Sequence, residues 1–250
     1  MGRRFRLAAA VGMAALSALA LTWGAFLLLS DDEQRVAYEE LAEEVSAGPS
    51  PRGGAAGIDW DALLSQNPAV CAWLEVANTS VSVPVVSATA DDPLRWLYRD
   101  LWGQKSDTGT PWLDYRCSAD GKVMVVYGHR TLYADYLFHD LSDVFSQPSF
   151  DGLGEASWQT PEGGAATFEP LCSASVDKSD EAWKRYAFAG PEEMRDWLSW
   201  ACDAASAVSP ERDELVGGAA RVLVLVTCNG RAFHPDTRTV TVFVSQGDAK

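Results

Sequence analysis

Two β-branched runs near the C-terminus, Arg221-Val-Leu-Val-Leu-Val-Thr-Cys228 and Arg238-Thr-Val-Thr-Val-Phe-Val244, constrain this chain more than any other feature. Branched side chains are stiff and suit the pleated surface of a sheet. Residues 229–237 between the runs hold Asn-Gly, Pro and Asp, which form turns. The runs are therefore expected to pair antiparallel, the chain leaving one strand at Cys228 and entering the next at Arg238. With a two-residue period, Arg238, Val240, Val242 and Val244 share one face, and Thr239 and Thr241 share the other. The guanidinium then sits at the mouth of an apolar, core-side row, where a charge is costly without a task or a partner.

A third short apolar run, Lys122-Val-Met-Val-Val-Tyr-Gly-His129, ends in one of the chain's three histidines. A thiol, an imidazole and a guanidinium at strand ends can supply a nucleophile, a proton carrier and an oxyanion donor. Spacing alone does not bring His129 to Cys228. His234, in the loop beside the thiol, is the competing base. Each residue also has a plainer reading: Cys228 as a buried core thiol, His129 as an edge histidine, Arg238 as one half of a salt bridge. His139, in Leu-Phe-His-Asp-Leu, is expected to pack at the edge of a helix. The three histidines form no i, i+4 pair and match no cysteine spacing, which argues against a metal site.

Tyr127-Gly-His129, Leu-Val-Thr227-Cys228 and the following Arg238 resemble the motifs of sortases, the cysteine transpeptidases of Gram-positive bacteria. Further segments resemble the class B subgroup: Asn67-Pro-Ala-Val-Cys-Ala-Trp-Leu, Val83-Pro84-Val85-Val86, Asp92-Pro-Leu-Arg-Trp-Leu, and Gly109-Thr-Pro-Trp-Leu-Asp114. The match runs from about Ile58 to Val244. It departs from the family at Arg130, where Asn is usual after the histidine, and at Pro93 after Asp92. Residues 153–180 match no family pattern.

The resemblance implies a mainly β fold, a closed barrel of about eight strands with a few peripheral helices. It implies acyl transfer with Cys228 as nucleophile, His129 as acid and base, and Arg238 as oxyanion donor, and it implies that Thr227 shapes the substrate groove. The partners implied are secreted proteins bearing a sorting signal and an amine acceptor from the cell wall or a pilin. This chemistry requires no cofactor. Family members often sense calcium, but no loop here reads as a calcium site.

Leu7 to Leu29 carries no charge and, as a helix, would reach about 34 Å, enough to cross a bilayer's hydrocarbon core. Arg3, Arg4 and Arg6 precede it, and Asp31, Asp32 and Glu33 follow. The positive-inside bias places the N-terminus in the cytoplasm and the rest outside. A cleaved signal peptide ending near Ala18-Leu-Ala20 is the competing reading, but the run is longer than a signal's apolar region. Past the anchor, 17 basic and 35 acidic residues leave a charge of −18, which argues against a nucleic-acid partner. The cysteines, at 71, 117, 172, 202 and 228, show no zinc spacing. Their odd number leaves at least one thiol unpaired in a monomer. Cys71, Cys172 and Cys202 read as buried small side chains, while Cys117 sits in a polar loop.

The expected organisation is a tip and anchor over residues 1–30, a charged helix and Gly/Pro-rich linker over 31–57, and an extracellular catalytic domain over 58–250. Within that domain Asp59 is a candidate N-cap. A helical stretch is expected near Leu94 to Leu101, and another from Leu132 to Phe145. Thr167 to Val176 reads as a strand. Pro191 to Ala205 is the clearest helix, with Met194, Trp197, Leu198 and Ala201 on one face.

Overall fold

In the computed structural model, the described residues are Met13, 16–18, Thr22, Gly24, 33–45, 57–131, 135–162, 164–229 and 236–247. Residues 33–45 form helix α1, whose Tyr38, Leu41 and Val45 are buried in the same core cluster as the strands that follow. The Tyr38 hydroxyl donates to Thr110 Oγ1 at 3.2 Å, and Asp59 N donates to Val45 O at 2.7 Å. Helix α2 (Trp60–Gln66) is capped by Asp59, whose carboxylate accepts from Ala62 N at 3.0 Å. Of the expected span at 7–29, only the six residues named above between 13 and 24 are described, each in helix. The rest of the anchor and its flanking charges at 3–6 and 31–32 lie outside the described residues. Among the described residues no helix is long and apolar enough to cross a membrane.

The strands are β1 (Val70–Val76), β2 (Ser82–Ser87), β3 (Trp112–Leu113), β4 (Val123–Tyr127), β5 (Ala156–Gln159), β6 (Ala165–Asp177), β7 (Ala207–Val208), β8 (Ala219–Cys228) and β9 (Thr237–Gln246). They form one sheet in the order β5-β1-β2-β3-β4-β8-β9-β6-β7, and β5 also pairs with β6. That last pairing closes eight strands into a barrel and leaves β7 as a two-residue addition to β6. Closure removes the open edges that a sheet of this length would otherwise expose.

The other helices are α3 (Gln147–Phe150), α4 (Pro191–Ala204) and α5 (Arg212–Gly218). Proline at its start, with Glu192 and Glu193 in its first turn, favours α4 where it begins. Its buried face holds Met194, Trp197, Leu198, Ala201 and Cys202. The barrel interior is one core, with Leu74, Met124, Val126, Trp158, Phe168, Leu223, Leu225 and Phe243. A second core lies between the outer face of β4, β8, β9 and β6 and helices α4 and α5. It holds Val125, Val222, Val224, Val226, Val240, Val242 and Val244.

Three local expectations are corrected. Near Leu94 to Leu101 there is only a single 3-10 turn, Arg95–Tyr98. The described residues between 132 and 145 form turns rather than a helix, so His139 sits in a turn. Leu137 adopts φ 54°, which an α-helix does not tolerate, and Tyr136, Leu137, Phe138, Leu141 and Val144 are buried instead along an irregular path. In β9 both rows are buried. The valine row after Arg238 faces the second core, and the row of Thr239, Thr241 and Phe243 is the one that reaches the barrel interior through Phe243.

Candidate active site

Strands β8 and β9 are antiparallel, with Cys228 directly opposite Arg238 and Val226 opposite Val240. Strand β4 runs parallel to β8 on its other side, with Tyr127 opposite Val226. The ladder continues past β4, since Gly128 N donates to Val226 O at 3.0 Å. Carrying that register forward brings His129 alongside Cys228. The ends of three adjacent strands therefore present a thiol, an imidazole and a guanidinium at one rim of the barrel. All three residues are half-buried. Cys228 and Arg238 end rows that belong to the second core, so the thiol and the guanidinium lie on the outer face of the sheet.

Gly128 between Tyr127 and His129 is required by packing: a Cβ there would lie 2.5–2.8 Å from the Phe138 ring. The turn before β3 is constrained in the same way. Gly109 adopts φ 59°, and a Cβ on it would run into Trp96 O and sit 2.7 Å from Leu97 O. That close approach positions the Leu97 carbonyl, which lies 2.8 Å from His129 Nε2. A carbonyl only accepts, so Nε2 carries the hydrogen and Nδ1 holds the lone pair. The Tyr98 ring flanks the imidazole at 6.4 Å between centroids. Burial lowers the His129 pKa below its ordinary 6.5, and the positive charge of Arg238 lowers it further. The Leu97 bond and Asp107 act in the opposite sense. The imidazole is thus neutral near pH 7, and Arg238 is close enough to act on it electrostatically.

Asn229, read from sequence only as a turn former, is buried and holds the strand ends together. Its Nδ2 donates to Ser175 Oγ at 2.8 Å, and its Oδ1 accepts from Thr237 Oγ1. Arg238 Nη1 donates to Thr237 O at 2.9 Å, and the Asn229 backbone N–H reaches that same oxygen at 3.4 Å. Thr237 is therefore tied both to Arg238 and to Asn229, the residue after the thiol. Thr227 lies on the opposite row, opposite Thr239 and 3% exposed, and its buried hydroxyl has no hydrogen-bond partner among the described residues. Thr239 Oγ1 donates to Ser142 O at 2.6 Å.

On the β4 side, Trp112 stacks on Tyr127 at 5.3 Å, and the Tyr127 and Tyr186 hydroxyls lie 3.4 Å apart. The Arg116 guanidinium sits 3.4 Å over the Tyr186 ring and grips Asp114 through Nε at 2.7 Å and Nη2 at 2.8 Å. This stack fastens the segment before α4 beside the end of β4. His139 has its Nδ1 2.8 Å from Thr131 O and its Nε2 3.3 Å from Asp135. His234, the competing base, lies outside the described residues. Among the described residues no group of three His, Cys, Asp or Glu side chains could hold a metal ion.

Neither a protein-family model nor any curated protein matches the chain by sequence. Solved structures do match it by shape. Sortase B from Clostridium perfringens aligns with TM-score 0.64 at 23% identity, over 75% of this chain and 99% of that one. Sortase B from Staphylococcus aureus aligns with TM-score 0.70 at 16% identity, over 86% and 100%. Sortase B from Bacillus anthracis, in complex with AAEK1, aligns with TM-score 0.70 at 17% identity, over 87% and 98%. The chain has the sortase fold.

Proposed function

We propose that the chain is a sortase-type cysteine transpeptidase of the class B kind, anchored by residues 7–29 with its barrel outside the cell. The observation that carries this reading is the register that sets Cys228 opposite Arg238 and runs β4 parallel to β8, so that His129 ends beside the thiol. The likeness to sortase B structures supports it. The structures matched include S. aureus sortase B in a substrate complex and a sortase B bound to triglycine, which fits a peptide donor and an amine acceptor.

In this mechanism the Cys228 thiolate attacks the carbonyl of a sorting-signal peptide bond on a secreted protein. The tetrahedral oxyanion takes hydrogen bonds from Arg238, a role worth about 3–4 kcal/mol for comparable donors. His129 Nδ1, which takes the Cys228 proton as the thiolate forms, passes it to the departing amine, because Nε2 is engaged with Leu97 O. A thioacyl-enzyme remains. An incoming amine from a cell-wall precursor or a pilin lysine then gives a proton back to His129 and takes the acyl group. The half-buried thiol is reachable by a peptide, whereas Thr227 sits below the surface and acts on the groove from its floor.

The test is cleavage of a broad peptide library by the full chain in detergent, with and without an added amine. Recovery of the Cys228-linked acyl peptide by mass spectrometry, and diversion of product from acid to amide by the amine, are expected. Cleavage that survives Cys228→Ala would rule out the thiol mechanism, and product that stays acid in the presence of amine would make the enzyme a hydrolase. For the anchor, protease added to intact protoplasts is expected to digest the barrel.

A further inference from the structure

Two cysteines outside the candidate site meet across the second core. Cys172 lies on β6, fully buried, opposite Val242 of β9 and Val208 of β7. Cys202 lies on the buried face of α4 and is 2% exposed. Both belong to the second core, and α4 and β6 approach within 8 Å, Cα to Cα. The two side chains lie near enough to interact. Another thiol points elsewhere: Cys71 Sγ donates to Val85 O at 3.4 Å.

We propose that Cys172 and Cys202 are a disulfide site, whose closure staples α4 to the barrel. Exchange with a small or protein disulfide closes the bond. One of the two thiolates displaces a thiolate from that disulfide, forming a mixed disulfide, and the other then displaces the second. The protein thiols lose two electrons and two protons, and the oxidising disulfide leaves as two thiols. Because both sulfurs are covered once α4 is docked, closure belongs to the folding chain or to transient lifting of α4.

The staple has a place in the architecture. Cys172 pairs with Val242, four residues along β9 from Arg238 and about 14 Å away. It therefore fixes α4 over the same row of side chains that ends at Arg238 and the thiol. Persistence of the bond in the cell depends on the extracellular placement proposed above, since such bonds are kept reduced in the cytosol. The pairing itself depends only on geometry, and the experiment below does not use activity.

The full chain in detergent, carrying Cys228→Ala to remove the half-buried thiol at the rim, is held in oxidising glutathione buffer, then unfolded and capped with iodoacetamide. Cys172 and Cys202 are expected to escape capping, to lose the mass of two hydrogens, and to appear as one cross-linked peptide, while Cys71 and Cys117 are capped. The oxidised form is expected to melt about 5–10 °C above the reduced one, since the bond closes a loop of about 30 residues. Capping of both Cys172 and Cys202 to the extent seen after reduction overturns the proposal, as does a cross-link from either to Cys71 or Cys117.

Discussion

Strand β8 carries two rows of side chains with different fates. Leu223 and Leu225 point into the barrel, and the row they form ends at Thr227, buried with a hydroxyl that has no partner among the described residues. Val222, Val224 and Val226 point outward under α4 and α5, and their row ends at Cys228, half-buried and facing Arg238 across the strand gap. A one-residue offset separates a closed end from an open one. The inner row can only pack, because barrel closure seals it. The outer row is covered by helices for most of its length and emerges at the rim, where a peptide can reach it.

Several measurements can break or sharpen this contrast. On the outer row, Cys228→Ala is expected to lower transpeptidation by about 10⁴-fold or more with little change in melting temperature. Rates within tenfold of the parent would dissolve the distinction between the rows. Arg238→Lys is expected to cost about 10²–10³-fold in kcat/KM, because a point charge does not reproduce a planar fork at the oxyanion. A wild-type rate for this variant would return Arg238 to the role of a surface cation.

The inner row should respond the other way. Leu225→Ala removes packing from the barrel interior and is expected to cost about 2–5 kcal/mol in denaturant unfolding, with kcat/KM near the parent value well below the melting point. A catalytic loss without a stability loss would mean that the inner row also shapes the site. Asn229→Ala sits between the two classes. It breaks the bonds to Ser175 and Thr237 and is expected to cost about 1–3 kcal/mol together with a fall in kcat at nearly constant KM. An unchanged kcat would make Asn229 a purely structural clamp.

The smallest effect concerns charge along the open end. His129 titrates below its ordinary value in the folded chain, so as pH falls from 6.5 the unfolded chain takes up the proton first. Stability then falls, while above 6.5 the residue contributes no such penalty. Arg238→Gln removes the positive neighbour and is expected to raise the His129 pKa, read by NMR titration of the imidazole. A value that does not move would place the two groups too far apart to act on one bound peptide bond.

Local signals carried well from sequence to structure. The two-residue period of residues 221–228 and 238–244, the cap at Asp59 and the apolar stripe of α4 depend on neighbours a few positions away, and each is found where the pattern places it. Residues 132–145 did not carry. Their aromatic and leucine spacing suits a helix, yet Phe138 has to lie over Gly128 and Leu137 takes a positive φ, demands set by a strand rather than by adjacent residues. Asn229 was legible only as a turn former, because its partners at 175 and 237 are distant in the chain. The carbonyl of Leu97 carries no side-chain signal at all.

By itself, then, the sequence determined the strands that end at His129, at Cys228 and at Arg238, and which residues share a row on the last two, because side-chain alternation along a strand is a local property of the backbone. It also placed a thiol, a guanidinium and an imidazole at the ends of three such strands. Only the tertiary structure decided that β4 lies parallel to β8, that the row ending at Cys228 faces α4 rather than the barrel interior, and that His129 turns Nε2 to Leu97 O. Those outcomes depend on which surfaces closure of the sheet buries, and that is settled by contacts between residues far apart in the chain.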